Sequence, residues 1–280
     1  MSPIDIVYIF CHSKREDWEL RYSLRSVERC LAWVRKVWVL GDRPTWLSGD
    51  TSVVEHVPHE YLARPWGLKL PVRNNFWLTF LASLIPDLSY EYLWFADDYI
   101  LLQEVSPQQI FKIRAIEDLA KVTTRGQGRW KDALWRTHDT LFRLGYGSLN
   151  FEGHLPHPYN KRLIWEAFCE FQDLVTVDRF YGLLVHTAVF RYALKQRENA
   201  VLESQPGNRL RSGAVSDWPC VSLQEEGRYV GFHNRPPTLA EIQAKSHGRT
   251  FLNFDDVAFN EPMRQFLEER FAEPSKYEVR

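Results

Sequence analysis

Two adjacent carboxylates, Asp97 and Asp98, follow directly after an apolar run at residues 92–96 (YLWFA) that is typical of a buried strand. A pair of aspartates at the end of a strand can bind a divalent cation against a diphosphate, and one of them can supply a general base. The ordinary alternative is a solvated pair of acids, because charged side chains are mostly exposed. Asp97 and Asp98 are therefore candidates for a metal site, and Asp98 is also a candidate catalytic group.

A second group of charges lies on a predicted amphipathic helix that begins near Asp17. Arg21 and Arg25 are four residues apart and share one helix face, so they can bind phosphate oxygens together. Glu19 and Glu28 in the same segment allow the alternative that these arginines form ion pairs on a solvated surface. The spacing alone leaves both interpretations open.

Two histidines, His154 and His157, stand in the segment GHLPHPYNK at residues 153–161. Its two prolines disfavour a regular helix, so we predict a shaped loop. A histidine near neutrality can act as a general base or acid or can bind a metal. Surface histidines in a loop are the alternative, and the residues by themselves favour neither.

Strands and helices alternate along the first hundred residues. Apolar runs at 5–11, 36–40, 52–57 and 92–96 predict strands, and the segments between them predict helices. This alternation is typical of a mostly parallel sheet, in which ligands bind at the carboxyl ends of the strands. Asn74 or Asn75 could cap a helix that extends through Leu84. Beyond residue 105 the pattern is more helical, with capping residues at Asn160, Thr238 and Asn260. Residues 204–219 predict a loop or lid.

The composition limits the class of protein. A chain of 280 residues with 45% hydrophobic content can bury a full core, and we predict one catalytic domain over residues 1–280, with an α/β half at 1–105 and a helical half at 106–280. The net charge of -1 argues against general attraction to nucleic acid. Four dispersed cysteines, the absence of a signal pattern and the absence of a long apolar span together predict a cytoplasmic protein.

The stretch ELRYSLRSVERCLAWVRKVWVLGDRPTWL, from Glu19 to Leu47, closely resembles the second conserved region of the Stealth family of sugar-phosphate transferases. Residues 92–105 and 251–278 also resemble conserved Stealth segments, and residues 150–192 do so in part. The resemblance implies a Rossmann-like, GT-A type mixed sheet flanked by helices, with a more helical C-terminal part. It also implies a nucleotide-sugar donor and either Mg²⁺ or Mn²⁺.

The resemblance implies roles for particular residues. It places Asp97 and Asp98 with the family's aspartate pair, His154 with its active-site histidine, and Asp255 with its late aspartate. Arg179 would replace the family's arginine, whose strict position falls near Gly182. Two further positions depart from the family pattern, which has asparagine where this chain has Ala96 and Phe254.

The leading hypothesis is a transferase that moves a sugar-1-phosphate from a nucleotide-sugar to a glycan or another hydroxyl acceptor. Asp98, His154, Asp255 and Arg179 are the expected catalytic residues, and Arg21, Arg25, Asp97 and His157 the expected substrate ligands. One rival is a glycosyltransferase that releases a nucleoside diphosphate, and another is a degenerate binding protein. Basic residues interleaved with Trp130 and Trp135 raise a nucleic-acid acceptor, which nearby acids disfavour.

Overall fold

The computed structural model describes residues 3–179, 181–203 and 217–279. The predicted loop or lid at 204–219 lies outside the described residues for all but its last three positions. The described strands are β1 (Asp5–Phe10), β2 (Lys36–Gly41), β3 (Val54–Val57), β4 (Glu91–Phe95), β5 (Tyr99–Leu101), β6 (Ile113–Ala115), β7 (Glu117–Asp118), β8 (Leu149–Asn150), β9 (His157–Asn160), β10 (Cys220–Ser222), β11 (Tyr229–Phe232) and β12 (Phe251–Phe254).

Helices follow most of these strands, as the alternating pattern predicted. They are α1 (Trp18–Cys30), α2 (His59–Ala63), α3 (Asn75–Ser83), α4 (Pro107–Ile110), α5 (Arg129–Arg143), α6 (Lys161–Phe171), α7 (Val185–Glu203), α8 (Leu223–Glu226), α9 (Leu239–Ser246) and α10 (Glu261–Arg270). None of the helices in the described part of the chain is long and apolar enough to cross a membrane.

The largest sheet has the strand order β3-β2-β1-β4-β9. The first four strands are parallel, and β9 pairs antiparallel to β4. Strands β1, β2 and β4 are almost wholly buried because their residues are apolar on both faces, as parallel strands covered by helices require. The predicted α/β class, with a mixed sheet flanked by helices, is confirmed.

A second sheet brings the late part of the chain to the end of β4. Strand β12 pairs antiparallel to β5 and parallel to β11. Strand β5 is separated from β4 only by residues 96–98. The residue after β12 therefore lies near the turn that carries Asp97 and Asp98, although more than 150 residues separate them in the sequence.

Polar caps fix where the helices begin. The side chain of Asn74 accepts hydrogen bonds from the N–H groups of Phe76 and Trp77. Asn160, Thr238 and Asn260 cap α6, α9 and α10 in the same way. Each cap satisfies backbone donors that have no partner inside the helix, and all four capping predictions are confirmed.

The main hydrophobic core draws residues from both predicted halves of the chain. It extends from Ile4 to Tyr277 and includes the buried faces of α1, α3, α6 and α7. A second cluster joins Tyr22 and Ile100 to residues of β12 and α10. The division into an α/β half and a helical half stays a prediction, since the packing does not separate the two at residue 105.

Candidate active site

Asp97 and Asp98 lie in the turn between β4 and β5, at the carboxyl end of the parallel strands. They line a cleft of about 390 Å³ together with residues from two other segments. We call this the acid cleft and define it by its lining residues: Ser13, Glu19, Asp97, Asp98, Phe254, Asp255, Asp256 and Val257. The structure thus brings together three predicted residues, Asp97, Asp98 and Asp255, and adds Glu19, which the sequence analysis did not select.

The carboxyl groups of the acid cleft lie close enough together to repel one another when they are ionised, which raises the pKa of Asp97. Burial raises the pKa of Asp97 well above its ordinary value, and the negative charges of Asp98, Glu19 and Asp256 raise it further. Burial also raises the pKa of Asp98 to about 7 and that of Glu19 in the same direction. The side chains of Asp97 and Asp98 still reach solvent. They therefore lie on the floor of an open depression, close to protein on most sides.

Two buried oxygen atoms at this floor lack a hydrogen-bond partner among the described residues: Oδ1 of Asp98 and Oδ1 of Asn253. The amide of Asn253, which lies in β12, donates to the backbone carbonyl of Asp98 at 3.3 Å. An unpaired buried oxygen is costly unless a donor or cation meets it. Asn253 was missed at the sequence level, although a buried asparagine inside a predicted apolar strand was a signal for it.

The donor set of the acid cleft fits a hard divalent cation. It consists of carboxylate and amide oxygens, the ligands that Mg²⁺ and Mn²⁺ prefer. The described part of the chain contains no group of three or more acidic, histidine or cysteine side chains that is already arranged around one metal position. The residues therefore fit the cation by chemistry and charge, and Asp97 and Asp98 remain its proposed ligands.

Asp255 has a structural task at the edge of the acid cleft. Its Oδ2 accepts from the backbone N–H of Asn234 at 2.7 Å. Its Oδ1 accepts from the backbone N–H groups of Val257 and Ala258 at 3.1 Å and 2.9 Å. These bonds fold the loop after β12. Asp255 thus shapes the rim of the cleft, and its catalytic role stays a proposal.

His154 lies in the loop before β9 and is accessible to solvent. Its ring centre is 5.4 Å from that of His233, a residue that the sequence analysis did not select. Protein around the ring lowers the pKa of His154, and the neighbouring His233 lowers it further, whereas the charge of Asp255 raises it. His154 is therefore held mainly in the neutral form that a general base requires.

Arg179 lies in the loop between α6 and α7. Its charge lowers the pKa of Cys11, which the charges of Asp42 and Asp97 raise. Arg179 and Asp97 are thus both close enough to Cys11, at the end of β1, to act on it. This position is compatible with a phosphate-binding role, which stays a proposal.

Gly182 explains why an arginine cannot occupy the strict family position. Its φ is +86°, and a Cβ there would come within 3.0 Å of the Leu174 carbonyl oxygen. A larger residue would be strained by both the backbone angle and this close approach. A cation from this loop therefore has to come from a neighbouring position, and Arg179 is three residues away.

The predicted phosphate-binding role of Arg25 is wrong. Its side chain is only 6% exposed and forms two hydrogen bonds with the carboxylate of Glu278, at 2.8 and 3.0 Å. It also donates to the carbonyl oxygens of Phe271 and Ala272. These contacts use the guanidinium to attach the end of the chain to α1, so none of it is available to a substrate.

Arg21 belongs to the same structural network, against the prediction of a nucleotide contact. Its guanidinium lies over the rings of Trp18 and Trp46 and is 3.7 Å from Glu278. Such stacked, paired arginines stabilise a fold through cation–π and ionic contacts. The acid cleft includes neither Arg21 nor Arg25 among its lining residues.

His157 is also a structural residue, and the prediction that it binds substrate is wrong. It begins β9 instead of lying in a loop, is 1% exposed, and its Nε2 lies 2.9 Å from the Gly153 carbonyl oxygen. Its ring stacks on His186 with centroids 3.8 Å apart. Burial lowers its pKa to about 3, so it stays neutral and inside the core.

The basic stretch at residues 125–136 does not present a continuous cationic surface. Arg125 forms two hydrogen bonds with Asp139 and lies over the ring of Trp135. Trp135 is buried and donates to the Arg125 carbonyl oxygen. These contacts support the alternative of a solvated helix and give no support to a nucleic-acid acceptor.

The fold and the acid cleft agree with what comparison of the sequence with known families finds. A model of the second conserved region of Stealth proteins matches residues 13–119, which include Glu19, Asp97 and Asp98. Several curated relatives are phosphotransferases of bacterial polysaccharides. These matches confirm the resemblance of this chain to Stealth proteins over residues 13–119.

Three relatives show the extent of this similarity. A capsular polysaccharide phosphotransferase of Haemophilus influenzae is 26% identical over 253 residues, which cover 71% of this chain and 67% of that protein. A receptor polysaccharide phosphotransferase of Streptococcus gordonii is 27% identical, over 60% of this chain and 62% of that protein. The human N-acetylglucosamine-1-phosphotransferase subunits alpha/beta are 33% identical over 33% of this chain but only 8% of their own length.

The structural match to a solved galactosyltransferase, in complex with donor and acceptor sugar analogues, covers 97% of this chain and 98% of that protein. The TM-score is 0.45 and the sequence identity 13%. This score is too low to support a conclusion about the fold or function of the present chain.

Proposed function

We propose that this protein transfers a sugar-1-phosphate from a nucleotide-sugar donor to a hydroxyl group of a glycan acceptor, as in capsule or exopolysaccharide synthesis. The observation that carries the proposal is the acid cleft, where the carboxyl groups of Asp97, Asp98 and Glu19 lie together at the carboxyl end of the parallel strands, with no lysine or arginine among the lining residues. The similarity to Stealth proteins supports the same assignment, because the named relatives are polysaccharide phosphotransferases.

In the proposed reaction the acceptor oxygen attacks the β-phosphorus of the donor. A new bond forms between the acceptor oxygen and this phosphorus, and the bond to the bridging oxygen breaks. Sugar-1-phosphate moves to the acceptor and a nucleoside monophosphate leaves. Neutral His154 takes the proton of the acceptor hydroxyl, and Arg179 stabilises the charge that develops on the phosphate oxygens.

Asp97 and Asp98 would hold a Mg²⁺ or Mn²⁺ ion on the floor of the cleft. A bound cation supplies neutralisation of the diphosphate charge. Asn253 holds the turn of Asp98 in place through its bond to the backbone carbonyl. Asp255 keeps the loop after β12, which lines the cleft, folded through its hydrogen bonds with three backbone N–H groups.

A second candidate is a glycosyltransferase that breaks the sugar–phosphate bond and releases a nucleoside diphosphate. Gly182 supports this alternative, because its backbone conformation excludes the family's arginine from the loop that would contact the phosphate.

A cytoplasmic location is proposed for both the sugar-phosphate transferase and the glycosyltransferase. The four cysteines are all free, as expected in a reducing compartment.

The experiment that tests the proposal has two stages. Purified protein is first screened by thermal shift against UDP-, GDP-, CMP- and TDP-sugars, with and without Mg²⁺ or Mn²⁺. Binding of a ligand to the folded state raises the melting temperature. The released nucleotide is then identified by chromatography with the donor that shifts most.

Three results are possible. With a UDP-, GDP- or TDP-sugar, a nucleoside monophosphate supports sugar-phosphate transfer, whereas a nucleoside diphosphate supports the glycosyltransferase. A CMP-sugar has no β-phosphate, so transfer from it would also support the glycosyltransferase. No shift with any donor, on folded protein, would instead favour a degenerate binding protein and overturn the proposed activity.

A further inference from the structure

A group of neighbouring rings beside the acid cleft combines one tryptophan with two histidines. The ring centre of Trp130, at the start of α5, is 6.5 Å from that of His154, and His154 is 5.4 Å from His233. The hydroxyl of Tyr229 lies 3.5 Å from Nε2 of His233. We call these four residues the histidine–tryptophan surface.

This surface is open to a ligand. Trp130 is 45% exposed, His154 is exposed and His233 is half-buried. Each of the three comes from a different segment of the chain: the start of α5, the loop before β9 and the residue after β11. Trp130 is not a member of any of the hydrophobic clusters of the described residues.

The histidine–tryptophan surface is connected to the acid cleft through Asp255. Asn234, which follows His233, donates its backbone N–H to Oδ2 of Asp255 at 2.7 Å. The charge of Asp255 also acts on both His154 and His233. A ligand on this surface would therefore extend one end toward the cleft where the donor is proposed to bind.

The chemistry of the surface is that of a sugar-binding site. An indole ring offers a rigid apolar face to the C–H groups of a pyranose, and neutral imidazoles both donate and accept hydrogen bonds with its hydroxyl groups. The carboxylate of Asp255 is the charge that acts on both histidines, which disfavours an anionic ligand. A neutral pyranose is therefore a better occupant than a phosphate.

We infer that Trp130, His154 and His233 bind one pyranose unit of the acceptor and direct its reacting hydroxyl toward the acid cleft. The inference rests on the proposed function and adds the acceptor subsite to it. Trp130 binds the sugar face, and His233 is a positioning residue that orients the hydroxyl beside His154.

The test uses saturation-transfer NMR of the full chain with methyl glycosides of glucose, galactose and N-acetylglucosamine. We expect saturation transfer to at least one glycoside with the unmodified protein. Trp130→Ala and His233→Ala should weaken that binding by about tenfold or more, and Trp130→Phe and His233→Asn should restore part of it. Trp66→Ala is the matched control, because Trp66 is also exposed, at 40%, but lies elsewhere.

Enzyme kinetics separate positioning from folding defects. With a donor from the thermal-shift screen and the glycoside that binds, His233→Ala should raise KM for the glycoside and leave KM for the donor unchanged. A rise in both constants together would show a general defect and would contradict the inference.

The outcomes also distinguish this inference from the proposed function. If a nucleotide-sugar stabilises the protein but no glycoside binds, or if Trp130→Ala binds as well as the unmodified protein, the acceptor subsite is wrong and the donor site stands. If glycosides bind but no nucleotide-sugar does, the subsite binds sugar and the proposed transferase function fails.

Discussion

Helix α1 lies in the matched Stealth region, which also supplies Glu19, Asp97 and Asp98 to the acid cleft, yet the helix and the cleft balance charge differently. In α1, the guanidinium of Arg25 is buried against the carboxylate of Glu278 and two backbone carbonyl groups. In the acid cleft, five carboxylates share one depression, and its described lining residues include no lysine or arginine. Charges that the fold neutralises stabilise it, whereas charges left uncompensated at an accessible site are available to a ligand.

The largest expected effect comes from Asp98→Asn, which removes one charge without changing size. Transfer should fall by roughly 10²–10³-fold, because the variant loses a carboxylate that is proposed to bind the cation against the diphosphate. The melting temperature at neutral pH should be unchanged or higher, since repulsion from Asp97 and Glu19 is relieved. Activity and thermal melting are measured on the same preparation.

Asp173→Asn, a substitution at an exposed position outside the acid cleft, is the control for this variant. It should leave both the activity and the melting temperature unchanged. A clear drop in melting temperature with Asp98→Asn would assign Asp98 to the fold and remove the contrast between the two regions.

Arg25→Ala, unlike Asp98→Asn, should reduce the stability of the fold. We expect it to lower the free energy of unfolding by about 3–5 kcal/mol, because it leaves the carboxylate of Glu278 buried without its partner. Urea unfolding measures the loss. Arg162→Ala breaks an exposed pair with Glu166 and should lower it by no more than about 1 kcal/mol.

Arg25→Lys sharpens the same test, since it retains the charge but loses the paired hydrogen bonds. Provided that it folds, this variant should still be stabilised by the nucleotide-sugar identified in the screen. If folded Arg25→Lys no longer binds the donor, the structural assignment of Arg25 is wrong.

Cation binding should depend on pH in a direction set by the raised pKa values of Asp97 and Asp98. Near pH 6 Asp98, whose pKa is about 7, retains most of the proton that competes with the cation, and near pH 8 it has lost most of it; the pKa of Asp97 is raised in the same direction. The rise in melting temperature caused by Mg²⁺ or Mn²⁺ should therefore be larger at pH 8 than at pH 6. Without cation, ionisation of these acids should reduce stability as pH rises through about 7.

The same thermal-shift series with Asp98→Asn provides the comparison. This variant should show a smaller shift with the cation and a weaker dependence on pH. A shift that is equal at both pH values in the unmodified protein would mean that these acids do not bind the cation.

The smallest expected effect concerns the buried histidines. The pKa of His157 is about 3 in the fold and about 6.5 in an unfolded chain. As pH falls below about 6.5, the unfolded state takes up a proton that the folded state does not, so stability falls by up to ~1.4 kcal/mol per pH unit. Urea unfolding at pH 7 and pH 5 measures the net change, to which Asp97 and Asp98 contribute with the opposite sign.

His157→Gln isolates the contribution of this histidine, since glutamine can still donate to Gly153 but does not titrate. The variant should lose less stability than the unmodified protein between pH 7 and pH 5. An equal loss in both proteins would show that His157 does not carry the predicted pH dependence.

The sequence was sufficient to predict the elements that carry strong local signals. The buried strand before Asp97 and Asp98, the helix caps and the parallel sheet all follow from apolar runs and short polar residues at element ends. His154 was predicted to lie in a shaped loop, and the structure places it in the loop before β9. These features depend on neighbours close in the chain, which a pattern records directly.

The misassigned residues depend on partners that lie far away in the sequence. Arg25 is separated from Glu278 by 253 residues, and no local pattern shows that this carboxylate neutralises it. His157 is buried because β9 joins the edge of the main sheet against β4. Asn253 and His233 enter the site only through the pairing of β11, β12 and β5, which the order of residues does not specify.

The attachment of residues 275–279 to the start of the molecule also bears on how the chain folds during synthesis. Val279 donates its backbone N–H to Trp46, Ser48 donates to Tyr277, and Glu278 neutralises Arg25. A ribosome that has made only the first hundred residues has produced α1 without this partner. We therefore expect residues 1–105 to stay incompletely folded until residues 275–279 have emerged, and a fragment of residues 1–105 to depend on chaperones or fail to fold.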